Sequence, residues 1–412
     1  MQVTSRRILE LLEHPHELEA LYREHPESFR EGLEEACRDR SDAVALQVWK
    51  ARLDYQDPVR ALDARRAFLA IVIGLVVGGL VRIPLAIFDE DWFFPRFVPS
   101  LVLLGPVAYF WSEQRNRLVL MAGLLLALVA AVFVSLVPEL SDSVVMALIH
   151  LPILFWALLG AAFAGGAWRE PHARLRFIRY NGDMIILVTL VALGGFVFSA
   201  LTMGLFSLAA NDPEEWYVMN IGLVGGASIP VVATYLYDVV FARRTGIASV
   251  LARVFAPLFL VMSATYLVVA FAGGENPFVD RDFLVVFNGL LLVILGMTVF
   301  SIAERGERGD IAWIDYVNVA LLMVTLVIDL VALSAISFRL GSYGLTPNRL
   351  VVLGANLVVM THLAWTCRAY VGFLRGRATV AGVQRAVTGY LPVYVGWAAF
   401  VVFVLPFLMR FA

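Results

Sequence analysis

IAWIDYVNVALLMVTLVIDLVALSAI, residues 311–336, decides how this chain is read. The stretch exceeds the roughly 20 apolar residues that cross the hydrocarbon core of a bilayer, yet it carries two carboxylates, Asp315 and Asp329. Ionised groups are costly in hydrocarbon, so acids inside a span mark a functional face by default. Asp315, Asn318, Leu322, Thr325 and Asp329 recur at i, i+3, i+7, i+10 and i+14, a spacing that puts them on one side of a helix looking into a bundle. The next apolar run, 350–371, contributes Asn356 and His362. Counted inward from the turn between two antiparallel helices at about 1.5 Å per residue, Asp329 lies as deep as Asn356 and Thr325 lies level with His362. Two readings fit: a proton or ion path in which Asp329 titrates and His362 relays, or a tight interface in which polar groups satisfy one another.

The connection SFRLGSYGLTPNR, residues 337–349, is read as an outer loop. Gly341, Gly344 and Pro347 suit tight turns, and Asn348 is placed to cap the helix that Arg349 opens. Arg339 and Arg349 suit either an anionic group arriving from outside or a structural turn with Arg349 paired to an outer acid. The string Tyr343-Gly344-Leu345-Thr346-Pro347-Asn348-Arg349 resembles the signature of a bacterial multipass membrane family catalogued only as a domain of unknown function. The resemblance covers the chain from about residue 67 onward, as one run of apolar spans. It implies a bacterial inner-membrane protein and carries no chemistry with it.

Composition supports the membrane reading throughout. Of 412 residues, 60% are apolar and 16% charged, and the mean hydropathy is +0.79; soluble domains are nearer a quarter charged. A net charge of -2 argues against nucleic-acid partners. Cys37 and Cys367 lie in unrelated segments, so no disulfide framework is expected. The amphipathic opening lacks the short apolar core of a signal peptide, and the first span is expected to direct insertion.

Residues 1–62 read as a small soluble helical domain, with leucines and aromatics at helical spacing, breaks at Pro15 and Pro26, and Ser41-Asp42 as the cap of a fourth helix. About 60 residues is near the lower limit for an independent core, so residues 1–60 are expected to lean either on the membrane domain or on a cytoplasmic protein partner. His14 and His16 lack a second ligand pair and read as solvated histidines; no metal or cofactor is expected. Residues 63–412 read as an all-α, polytopic bundle of eleven spans: 67–88, 97–111, 118–137, 144–165, 184–209, 218–241, 247–272, 283–303, 311–336, 350–371 and 387–409. Alternate loops are basic, with thirteen arginines on one side and four on the other, which places the N-terminus in the cytoplasm and the C-terminus outside.

Three further stretches carry candidate chemistry. In the sixth span Gly225, Gly226 and Pro230 suggest a broken helix whose freed backbone binds substrate, while Gly222 with Gly226, like Gly74 with Gly78, also fits close helix packing. Asp89-Glu90-Asp91, in the first outer loop, resembles the paired acids of polytopic glycosyltransferases, but the loop is short and a solvated turn is favoured. The inner loop 168–180 interleaves arginines with apolar residues and suits either contact with anionic lipid or topology anchoring. No catalytic set is found: Lys50 is the only lysine, and neither HExxH nor GxSxG occurs. The expected function is a permease for a small solute or ion. The alternatives are a membrane scaffold or sensor with a cytoplasmic partner, and a lipid-linked glycosyl or acyl transferase.

Overall fold

A computed structural model describes residues 4–40, 43–54, 63–138, 141–207, 214–241, 243, 247–272, 281–305 and 311–411. Among these residues every regular element is helical and no strand occurs. The chain divides into two units, Met1–Asp63 and Ala64–Ala412.

The first unit holds α1 (Ser5–Glu10), α2 (Pro15–Glu24), α3 (Pro26–Asp39) and α4 (Val44–Asp54). Pro15 and Pro26 open α2 and α3, where an absent N–H leaves no helix bond unmade. Ile8, Leu18, Phe29, Leu33, Leu46 and Trp49 close into one core, and the Phe29 and Trp49 rings meet at 5.0 Å. Arg52 lies over the Trp49 ring and donates to both Glu19 oxygens, at 2.6 and 3.2 Å. Those bonds, with a further one from Arg23, pull the Glu19 carboxyl down to about 2. Ser41 and Asp42, the expected cap of α4, lie outside the described residues.

The second unit comprises α5 (Ala64–Arg82), α6 (Glu90–Gln114), α7 (Arg117–Leu136), α8 (Asp142–Ala164), α9 (Pro171–Ser207), α10 (Glu214–Tyr217), α11 (Leu223–Tyr235), α12 (Ile247–Ala272), α13 (Arg281–Ala303), α14 (Trp313–Tyr343), α15 (Pro347–Leu374), α16 (Val380–Phe403) and α17 (Leu405–Leu408). Among the described residues, nine helices are long and apolar enough to span a membrane. The two other expected spans fall on α12 and α13, whose described apolar stretches are the shorter Phe255–Thr265 and Asn288–Ala303. Helices suit hydrocarbon because each satisfies its own backbone.

Four boundaries differ from the sequence reading, each for a local reason. The second span is not short: α6 begins at Glu90 and continues through Pro95, Pro99 and Pro106. Asp89 caps it, accepting from the Asp91 and Trp92 amides at 2.9 and 3.3 Å. Arg96 therefore sits inside a helix, only 4% exposed, donating to the carbonyls of Trp92 and Pro138. The expected inner loop 168–180 is largely the start of α9.

The sixth span is not broken. Its helix runs on through Gly225, Gly226 and Pro230, flanked by π turns at Val218–Gly222 and Leu236–Val240. Close packing comes from α5 instead: a Cβ on Gly78 would sit 2.5 Å from Val224 and one on Gly74 3.1 Å from Ser228, whereas Gly225 and Gly226 face open space.

The ninth span is longer than expected, and the loop after it nearly vanishes. Helix α14 runs to Tyr343, carrying Arg339 and Gly341 within it, and Gly344 ends it at φ +81, a value glycine adopts without strain. Thr346, not Asn348, caps α15, and Pro347 takes the first helical position. Arg349 donates to the Tyr343 and Gly344 carbonyls, both at 2.8 Å. It closes the end of α14 rather than pairing with an acid.

Candidate functional site

The site is built on the buried face of α14, against α13, α15 and α16. Asp315, Asn318, Leu322, Thr325 and Asp329 are all buried on α14, and Asn356, His362 and Thr366 are buried on α15. Two observations set the register of these antiparallel helices. Tyr370 donates to Asp315 at 2.6 Å near one end, and Ala335 and Ile336 pack with Val352 and Leu353 towards the other. In that register Asp329 lies level with Asn356 to Val359, and Thr325 with His362.

The polar residues along this face differ sharply in how they are satisfied. At the start of α14, Asp315 is saturated. Arg305 holds it through two parallel bonds, Nε to Oδ1 at 2.7 Å and Nη2 to Oδ2 at 2.6 Å. The Tyr370 hydroxyl adds a third bond and the Ala312 amide a fourth at 2.8 Å. The helix N-terminus favours the same negative charge. Asn318 extends the network to Ser301 and Tyr370, at 3.0 and 3.2 Å. Gln384 fixes the backbone behind the cation by donating to the Arg305 carbonyl at 3.1 Å, and Arg305 lies over the Phe373 ring at 4.9 Å. Asp315 and the Asn318 amide nitrogen thus form a clamp joining α13 to α16, with Asn318 Oδ1 alone unpartnered among the described residues.

Four turns along, Asp329 is the reverse. It is 0% exposed, and neither carboxyl oxygen has a hydrogen-bond partner among the described residues. Because α14 extends to Tyr343, Asp329 is not near a helix end: at 1.5 Å per residue it lies about 24 Å from Trp313 and about 21 Å from Tyr343. Thr325 lies between the two groups and is satisfied within its own helix, donating to the Leu321 carbonyl at 2.6 Å.

Along the facing side of α15 the same shortage of partners recurs. Asn356 Nδ2, His362 Nε2 and Thr366 Oγ1 are buried without partners among the described residues. His362 stacks on Tyr390 at 4.6 Å with the rings 7° from parallel, and its Nδ1 shares a 2.8 Å hydrogen bond with the Tyr394 hydroxyl. Tyr394 in turn lies within electrostatic reach of Asp329. A buried carboxyl and a buried imidazole, the latter bonded to a half-buried phenol, therefore lie on neighbouring helices of the bundle. Buried polar groups are nearly always bonded, so a cluster that is not bonded needs a reason. Groups of this kind can hold, release and pass a proton, or coordinate a small cation that brings its own charge.

Sequence reasoning overlooked the groups that decide these roles. In the eleven-span reading Arg305 falls in the loop between 283–303 and 311–336, and Tyr370, Tyr390 and Tyr394 fall inside apolar runs. A signal was available, since Tyr370 follows His362 by eight residues and Tyr390 and Tyr394 are one turn apart, each pair sharing a helix face. A second buried cluster was also missed. Asp238, in the π turn after α11, accepts from Arg243 at 2.6 Å and from Arg66 and Tyr109 at 3.1 Å each. Its bonds are complete, as befits a clamp between α5, α6 and α11. Elsewhere, Asp89 is committed to capping α6, and Glu90 and Asp91 fall in its exposed first turn. No known protein family, curated protein or solved structure matches the chain.

Proposed function

We propose that this chain is an eleven-span permease of a bacterial inner membrane, with its N-terminus in the cytoplasm, moving a proton or a small cation-coupled solute through a path centred on Asp329. One observation carries the reading: a carboxyl at 0% exposure with both oxygens unpartnered, level with Asn356 and about one turn from the level of His362, whose Nδ2 and Nε2 are likewise unpartnered among the described residues. Leaving a buried polar group unsatisfied costs roughly 1–3 kcal/mol, a cost that a purely packing role gives no reason to retain. In the conformation described Asp329 is sealed from every side, which corresponds to an occluded state of an alternating-access cycle.

Single cysteines at Thr325, Asp329 and Leu333, in a background lacking Cys37 and Cys367, test the path by maleimide labelling in intact cells. Labelling at 329 that disappears when the protein is locked by substrate or low pH supports a hydrated route. Position 329 staying unreactive under all conditions, while Tyr343→Cys labels normally, removes it. In proteoliposomes, Asp329→Asn is expected to abolish gradient-driven flux.

A second reading has its own observation. Val44 and Val48, one turn apart on α4, are 73% and 60% exposed, an unusual use of apolar residues in a unit this small. A cytoplasmic protein partner seated on that face would make the bundle an anchor, and Val48→Asp would release it without affecting flux.

A further inference from the structure

A groove on the side of the bundle points to a second site, for a different class of ligand. It has a volume of about 620 Å³ and is walled by Leu118 and Leu126 of α7, Leu154 of α8, Phe177 of α9, and Leu391 and Phe403 of α16. Its single charged lining residue is Arg174, at the same end as Trp168. The walls have the length of one leaflet: Leu118 to Leu126 rises about 12 Å and Leu154 to Ala164 about 15 Å, half of a hydrocarbon core roughly 30 Å thick.

The polar end is built, not incidental. Pro392 has no N–H, so the Thr388 carbonyl one turn earlier loses its helical donor. Arg174 Nη1 takes that carbonyl at 3.3 Å, and its Nε donates to the Trp168 carbonyl at 3.1 Å. These bonds hold the guanidinium at the groove mouth and leave Nη2 without a protein partner among the described residues. Arg169 stacks over the Trp168 ring at 4.8 Å, and Arg117 immediately precedes Leu118. Glu170 is the one acid among these residues, against three arginines. An apolar slot one leaflet long with a cationic mouth matches a molecule that has a long hydrocarbon chain and an anionic head.

We infer that the α7–α8–α9–α16 groove binds an anionic phospholipid from the leaflet at the arginine end, with an acyl chain in the slot and its phosphate between Arg169 and Arg174. The claim is independent of what passes Asp329. Trp168, half exposed at the mouth, sits where an indole bridges headgroup and chain.

Native mass spectrometry of the full-length protein, equilibrated in mixed micelles with equal phosphatidylglycerol and phosphatidylcholine, tests this. Each basic residue near the surface contributes on the order of fivefold to attraction for anionic lipid, so the wild type should retain phosphatidylglycerol in clear excess. Arg169→Gln with Arg174→Gln should bring the two lipids to near parity, and Arg174→Lys alone, which keeps the charge, should preserve the excess. Ala161→Phe and Ala122→Phe each fill the slot from a different helix without changing charge. Loss of retained phosphatidylglycerol with both plugs supports the site. Equal retention of the two lipids by the wild type overturns it, and so does an excess that survives either plug, since a general attraction of the basic surface would then explain it.

Discussion

Asp315 and Asp329 lie on one face of one helix, four turns apart, both fully buried, and yet their surroundings have nothing in common. Asp315 receives four hydrogen bonds, two of them from the Arg305 guanidinium; Asp329 receives none from the described residues. The difference does not arise on α14, where the two residues are equivalent by pattern. It arises from what faces them. The start of α14 meets the end of α13, where the chain has just emerged and an arginine can reach back, whereas the middle of α14 meets only helix walls. A carboxylate is therefore a fastener where the chain supplies a cation and a free group where it does not.

The largest effect is expected on breaking the fastener. Arg305→Ala leaves Asp315 buried with its charge uncompensated, a change that typically costs 3–5 kcal/mol. Thermal unfolding of the purified protein should show a large drop in midpoint, and its accumulation in the membrane should fall. A variant as stable as wild type would mean that Asp315 and Arg305 are not paired in the protein.

The opposite sign is expected at the other carboxyl. Asp329→Leu exchanges an unpartnered polar group for an apolar one of similar size, relieving a penalty of roughly 1–3 kcal/mol. The midpoint should rise while flux is lost. Destabilisation instead would reveal a partner for Asp329 and place it in the same category as Asp315.

A smaller loss, of about 0.5–1.5 kcal/mol, is expected for Tyr394→Phe, which removes one half-buried hydrogen bond and leaves both nitrogens of His362 without a partner among the described residues. If His362 relays protons, the pH profile of flux should shift in this variant; an unchanged profile would reduce Tyr394 to packing.

Glu19 gives the solvated limit of the same comparison. Its carboxyl is paired with Arg52 while its side chain keeps 26% exposure. Its folded value, about 2, lies below the usual carboxylate value near 4.3. The stabilisation is therefore present above about pH 4.3 and is lost as pH falls towards 2. Limited proteolysis of residues 1–63 within the full-length protein should show protection weakening over that window, and Glu19→Gln should make protection nearly independent of pH there. The effect is small because water and salt screen an exposed pair.

Much of this was legible before any coordinates. The face containing Asp315, Asn318, Thr325 and Asp329 follows from helical spacing alone, and depth counting from the turn paired Asp329 with Asn356. The second span failed at its ends: the reading 97–111 holds Pro99 and Pro106 but starts after Pro95, whereas α6 runs through all three prolines from Glu90, because a helix in a bundle can absorb a missing N–H that an isolated helix cannot. Among the glycines, close packing holds for one pair and not for the other. Gly74 and Gly78 meet a neighbour while Gly225 and Gly226 do not, although the spacing is similar and only the rotation of each helix about its axis separates them.

What the sequence determined by itself is the solvent. An apolar content of 60%, arranged in runs of spanning length, commits the second unit to helices in hydrocarbon whatever its packing. It also determined which residues share a face, since that depends only on 3.6 residues per turn. Tertiary structure alone decided which polar groups would be satisfied. Hydrogen bonds and ion pairs fall off within a few ångströms, and their partners come from helices far away in the chain: Tyr370 for Asp315, Tyr394 for His362, Arg66 for Asp238. No spacing along one helix records how its neighbours are turned.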